Sequence, residues 1–300
     1  VSALAGPAEP ARPAEPAGPA AAESGVDRSP LRRRRRQRAL LQLAAVAITL
    51  FMAAPIYLIT LAAFSSRQAL NEYPKSVLPT DVSTETLRGF LSSAGIVPSF
   101  LNSVAVGLLA VLLSIGLGAP AGYAIARYAF RGRDAYQIVL LITRALPVVV
   151  LSIPLAELFI SWQLYDTVLG IALMHTALAL PTTVLISASV FVSVPRDVEE
   201  AALIFGATPL AAFRRVVLPI ARPGIAASAI FTFVLSWNEV LGAAILALRN
   251  RTLPAQVLGS LSNSPLAYRF AGGFALVVPS LVFIFVMRRY LLNMWGTTIR

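Results

Sequence analysis

Long stretches of this chain carry no charge at all, and that limits its folds more than any other feature. Between Arg38 and Arg67 lie 28 uncharged residues, and the segment from Arg88 to Arg127 is again charge-free. A helix needs roughly 20 mostly apolar residues to cross the hydrocarbon core of a bilayer. Lipid offers no partner to a bare backbone N–H or C=O, so several such runs in one chain fold as a bundle of helices. Charged residues make up 13% of the sequence and the mean hydropathy is +0.74, whereas a soluble domain carries about a quarter charged residues. The sequence reads as an all-α integral membrane protein.

Six spans are expected, at about 39–64, 99–126, 135–160, 167–194, 223–247 and 270–288, with a loop at 195–222 that is too long for a simple connection. An even number of spans puts both termini on one side. With the amino terminus inside, 18 of the 25 lysines and arginines fall inside, six outside and one (Arg144) within a span. The positive-inside rule therefore places both termini in the cytoplasm of a cell membrane. The segment 1–38 is different in kind. Its Pro/Ala/Glu-rich part cannot bury a core, so a disordered tail is expected, ending in the LRRRRRQR run. The apolar run after those arginines is too long for a signal peptide, which favours a retained first span anchored at the inner leaflet.

Several chemistries are excluded. The chain has no cysteine and one histidine, His175, so no disulfide framework, zinc finger or Cys/His metal site can form. Its single lysine, Lys75, lies in YPKS without the glycines of a phosphate loop. The chain has no GxxxxGK[ST] motif and cannot hold ATP that way. The formal charge of +11 comes from arginines spread between apolar runs, a pattern that suits membrane orientation and not nucleic acid.

The loop 195–222 is patterned like folded structure. Pro195 suits a helix start, and Asp197, Glu199 and Glu200 complement the positive end of its dipole. Val198, Ala201, Ala202 and Phe205 fall at i, i+3, i+4 and i+7 on one face. Gly206 can end this helix in a left-handed turn, and Thr208-Pro209 reads as the cap of a second short helix that Leu218-Pro219 closes. An interfacial helix on lipid headgroups would have a basic polar face. This one is acidic, and its small-residue face suits a protein groove.

Glu200-Ala201-Ala202, three residues, Gly206, nine residues and then Val216-Val217-Leu218-Pro219 match the EAA loop of binding-protein-dependent ABC importer permeases. Leu101 to Val104, Gly122 to Arg133, Ile153 to Phe159, Tyr165 to Ile171 and Trp237-Asn238-Glu239 resemble further motifs of the maltose-type sugar permeases, in the same order. The likeness covers about residues 40–292. It departs at Phe205, where the family commonly has aspartate, and at the NMWGTTIR ending. The resemblance implies the type I ABC importer permease fold with six spans and a cytoplasmic coupling helix. It also implies a second permease subunit, usually non-identical, a pair of cytoplasmic ATPases that hold the ATP and magnesium, and an extracytoplasmic solute-binding protein. This chain would then be a non-catalytic subunit. On that likeness Glu199, Glu200, Ala201, Ala202, Phe205, Gly206, Leu218 and Pro219 would form the ATPase-docking and coupling element.

Ionisable and amide groups inside spans are costly in lipid unless paired or facing water. Trp237, Asn238 and Glu239 combine a stacking face with hydrogen-bonding groups, which makes them candidates for the solute pathway; Asn102 is a further candidate, though as an amide near a span start it reads first as an interhelical hydrogen-bonding or helix-start residue. A structural ion pair or a charge snorkelling near a span end is the competing reading, and it is favoured for Arg144 and Glu157. His175, in an apolar span, reads as a satisfied core group. The leading function is ATP-driven uptake of a sugar or sugar-like solute as half of a translocation pathway. Alternatives are the same machine for glycerol phosphate, a polyol, a polyamine or an amino acid, and a stand-alone secondary transporter. The last would call for inverted repeats and acidic pairs within the membrane, and neither is visible.

Overall fold

A computed structural model describes residues 29–79, 81–261 and 264–295, with side chains described over 37–79, 81–260 and 264–286. The chain divides into two units, 1–53 and 54–300. In the first, helix α1 begins at Ser29 and continues to Ala63 in the second. It takes in the arginine run that the sequence assigned to a disordered tail. The Pro/Ala-rich residues 1–28 lie outside the described residues. From Gln37 to Ala53 every side chain of α1 is exposed, Leu40, Leu43 and Phe51 among them, as suits a helix that meets lipid tails.

In the second unit two short helices follow, α2 (Arg67–Asn71) and α3 (Glu85–Leu91), with Ser66 capping the first through a bond from the Ala69 N–H. Helix α4 (Ile96–Arg127) is the longest element of this unit after the first span, about 48 Å at the usual rise per residue. Its partner is α7 (Val168–Ser193), capped by Thr167. The two approach closely because α4 presents glycines where they cross. A Cβ on Gly122 would stand 2.6 Å from the Ser187 Cβ and 2.7 Å from the Ala188 nitrogen. Small residues at such crossings supply packing where lipid removes the hydrophobic drive between helices.

Between them, the expected third span is a bent pair. Helices α5 (Arg133–Thr143) and α6 (Val148–Ser161) meet at 94°. The break falls at Pro147, which has no N–H and pushes the residue before it out of helical geometry. Pro120, Pro154, Pro181 and Pro279 stay inside helices.

After α7 come α8 (Arg196–Ile204), α9 (Pro209–Ala212), a π-helical turn (Phe213–Val217) and α10 (Leu218–Asn238). Leu218-Pro219 does not close the second short helix as the sequence reading expected. Helix α9, the π turn and α10 run on without interruption, so the apolar helix extends from Pro209 to Asn238. Proline at position 219 is tolerated because the wider π turn precedes it, where the regular bonding pattern is already shifted. The expected fifth span, 223–247, instead ends at Asn238, and α11 (Leu241–Leu246) begins beyond Glu239 and Val240. Helix α12 (Leu253–Leu261) and the last helix, α13 (Leu266–Trp295), complete the described chain. Among the described residues five helices are long and apolar enough to cross a bilayer, and the α5–α6 pair is the sixth if it counts as one span.

Candidate functional site

Three polar sites are built on this bundle. The first is the patterned loop. Pro195 stands at the position before α8, with extended ψ, and the helix ends at Gly206, whose φ is +86°. Two backbone bonds close that end: Gly206 N–H to the Leu203 carbonyl and Ala207 N–H to the Ala202 carbonyl, both 3.0 Å. This reciprocal pair is the Schellman arrangement and requires the left-handed glycine. Thr208 then caps α9 by accepting from the Ala211 N–H at 3.3 Å. The turn predicted at Gly206 and the cap at Thr208 are both present.

The loop residues divide by direction. Asp197, Glu200 and Ala201 are exposed, Ala202 is half-buried, and Ile204 and Phe205 are 84% and 91% exposed. An isoleucine and a phenylalanine that bare, beside carboxylates, make an amphipathic surface. Glu199 points the other way. Its carboxylate pairs with the Arg127 guanidinium at 2.7 Å and accepts a hydrogen bond from the Tyr123 hydroxyl. Leu218 and Pro219 are half-buried at the start of α10, next to Val217 and Ala221, which pack with Tyr123 and Phe191. Tyr123 and Arg127 belong to the Gly122–Arg133 motif, yet Arg127 read in sequence only as a topology charge. Its partner lies 72 residues away.

The second site is a cavity of about 540 Å³ whose polar lining is Thr143, Arg144, Thr182, Asn238 and Glu239, with Met174 among its apolar lining. Glu239 sits in the break between α10 and α11. It accepts from the Gly242 N–H (2.8 Å), the Ala243 N–H (2.9 Å) and His175 Nε2 (3.2 Å). His175 is fully buried, and its Nδ1 lies 2.7 Å from the Ser236 hydroxyl. A neutral ring donating from Nε2 and accepting at Nδ1 satisfies every partner. Asn238 is exposed and lines the cavity, its amide donating to the Val234 carbonyl at 2.7 Å. Trp237 is not brought there. It is 2% exposed, its indole N–H donates to the Leu276 carbonyl at 2.8 Å, and it stacks on Phe233. Asn102 is also elsewhere, half-buried and bonded to the Arg251 carbonyl at 3.4 Å. Arg144, at the α5–α6 bend, and the exposed Glu157 enter no ion pair among the described residues.

The third site was not foreseen. Asp166, between α6 and α7, adopts φ +58° and turns one carboxylate oxygen to the N–H groups of Leu248, Arg249 and Asn250, each at 2.9 Å. The Asn250 side chain donates back to the Asp166 carbonyl at 2.7 Å. Burial alone would raise this carboxyl's pKa. The three backbone donors, with the Arg249 charge behind them, outweigh burial and hold it below its ordinary value. The clasp joins the α6–α7 turn to the segment after α11. Among the described residues no group of acidic or histidine side chains is arranged to hold a metal.

The family model for binding-protein-dependent transport system inner membrane components matches residues 114–292. The chain belongs to that family. As such it is a multi-pass permease subunit, and the ATP hydrolysis of the system resides on a separate subunit. The chain is 31% identical over 219 residues to the trehalose transport system permease SugB of Mycobacterium tuberculosis, covering 71% of this chain and 80% of that one. It is 39% identical over 187 residues to the diacetylchitobiose uptake permease NgcG of Streptomyces coelicolor, 62% of each chain. Among solved structures, a chain of a bacterial ABC transporter that imports alginate matches with a TM-score of 0.67 at 21% identity, over 86% of this chain and 98% of that one. That last likeness speaks for the fold.

Proposed function

We propose that this permease forms half of the translocation pathway of an importer for a sugar or sugar-like solute. The second half would be a non-identical permease subunit. A cytoplasmic ATPase pair would supply the energy, holding the ATP and magnesium, and an extracytoplasmic binding protein would deliver the solute. One observation carries the reading: α8 and its glycine turn form a rigid, capped element that presents Glu200, Ala201, Ile204 and Phe205 outward, on a chain with no nucleotide-binding loop of its own. Apolar side chains that bare favour burial against a partner. The arginine distribution supports termini, and with them α8, in the cytoplasm, where an ATPase would meet it.

A sugar as cargo is supported by two observations. The relatives carry trehalose, diacetylchitobiose or, at 32% identity, α-glucosides in their names. The cavity lining also offers amide, hydroxyl and guanidinium groups suited to hydroxyl-rich solutes. The test uses membrane vesicles holding the chain with its second permease, ATPase and binding protein. Labelled trehalose and diacetylchitobiose are offered with and without ATP. Saturable, ATP-dependent uptake of either is the expected result. Uptake that persists without ATP, or that is confined to amino acids or polyamines, would contradict it. In the same vesicles, single cysteines at Ser76 and Thr208 should label from opposite sides.

A further inference from the structure

Helix α8 has nine residues, none of them fully buried. A helix that short is not stable alone, and its backbone connects it only to α7 before it and, through Gly206, to α9 and α10 after it. Something else must fix its direction. Beyond its packing on α9 and the π turn that follow it, side-chain bonds from the end of α4 tie it down. Arg127 pairs with Glu199 at 2.7 Å through Nε and donates from its other arm to the Val194 carbonyl at 3.0 Å, at the α7–α8 junction. The Tyr123 hydroxyl donates to Glu199, and Arg196 reaches back to the Ala126 carbonyl at 3.5 Å. The charged pair is enclosed, with side chains 7% and 13% exposed, so either charge alone would be left without compensation. Tyr123 is itself wedged by Phe191 and Phe213.

We propose that Tyr123, Arg127 and Glu199 are positioning residues forming a latch that makes α8 and the end of α4 one mechanical body, so that a push on α8 moves the second span directly. Without the latch, motion of α8 would pass only into the spans continuous with it. Helix α4 then carries the displacement along its unbroken length to its other end. There Ser103 accepts from the Leu253 N–H at 2.6 Å and Asn102 holds the Arg251 carbonyl, next to the segment clasped by Asp166. Glu199 thus serves the chain's own framework, and Glu200 beside it is left to face the partner. The proposal rests on the importer reading and adds the route by which the ATPase's motion enters the membrane.

The test uses the assembled complex in nanodiscs and exploits the cysteine-free chain. Nitroxides at Ala129→Cys and Thr208→Cys report the separation of the α4 end from the α8 turn, nucleotide-free and trapped with ATP and vanadate. In the wild-type background the separation should stay the same in both states. Arg127→Gln, Glu199→Gln and the milder Tyr123→Phe should broaden it and lower solute moved per ATP hydrolysed, by about tenfold for the two charge variants, while the ATPase stays bound. The double variant Arg127→Glu/Glu199→Arg should restore both readouts in part, since the bond to the Val194 carbonyl is lost. The latch is overturned if the wild-type separation changes on trapping, if the single variants move solute per ATP as the wild type does, or if the reversal restores nothing. It is equally overturned if the Glu199 variants release the ATPase, since that is the signature of direct docking. A wild-type complex that binds no ATPase overturns the importer reading itself.

Discussion

Two pairs of adjacent residues, Glu199–Glu200 and Asn238–Glu239, sit in different parts of this molecule and divide their work in the same way. In each, one carboxylate is turned into the fold and saturated: Glu199 by Arg127 and Tyr123, Glu239 by His175 and two backbone N–H groups. In each, the neighbour is exposed, Glu200 on the amphipathic surface and Asn238 in the cavity. The pairs differ in what they hold. Glu199 joins two separate helices, whereas Glu239 caps α11 and keeps a helix break open inside the bundle. A saturated carboxylate thus fixes the backbone that carries an exposed polar neighbour, which on the proposed function would meet the ATPase or the solute.

That comparison can be broken by substitution. The largest effect should come from Gly206→Val, since a β-branched residue at φ +86° is strained. It should abolish uptake with normal membrane insertion, read as transport against surface labelling. Next is Trp237→Ala, which empties a buried site and should cost about 3–5 kcal/mol in thermal or denaturant unfolding of the detergent-purified chain. A transport loss with unchanged stability would put this indole in the pathway after all. Glu239→Ala leaves the His175 N–H and the first turn of α11 without their acceptor and should cost about 1–3 kcal/mol. Asn238→Ala should stay within about 0.5 kcal/mol of wild type while lowering uptake, and equal stability losses for the two would erase the division between them.

The clasp should have a small effect, on stability and not on uptake. Asp166→Asn should cost about 0.5–1 kcal/mol at neutral pH. The folded carboxyl titrates below the unfolded one, so its contribution is complete above the unfolded value near 3.8 and disappears as pH falls through the lower folded value. Unfolding midpoints of wild type and variant should therefore converge below that range and separate above it.

The loop was legible because its signals are local. Glycine and threonine at fixed offsets from a small-residue face specify a turn and a cap without reference to the rest of the chain. Spans were legible from charge-free length, although the bend at Pro147 and the π turn at Phe213–Val217 were not, since other prolines in this chain leave their helices intact. What sequence could not supply were partners at long range. Arg127 and Glu199, His175 and Glu239, and Asp166 with Leu248 to Asn250 are 60 to 90 residues apart. For the same reason Trp237 and Asn238, adjacent in sequence, could not be separated into a packed side chain and a cavity residue.

The central claim is that the element from α8 to Thr208 receives the motion of an ATPase. Its most direct test is solute-stimulated ATP hydrolysis by the purified complex, comparing wild type with Ala202→Leu and Gly206→Val, each reconstituted at equal permease content. Solute should stimulate hydrolysis in the wild type and in neither variant. Full stimulation in both variants would reduce α8 and its turn to a surface connection that receives no motion from an ATPase.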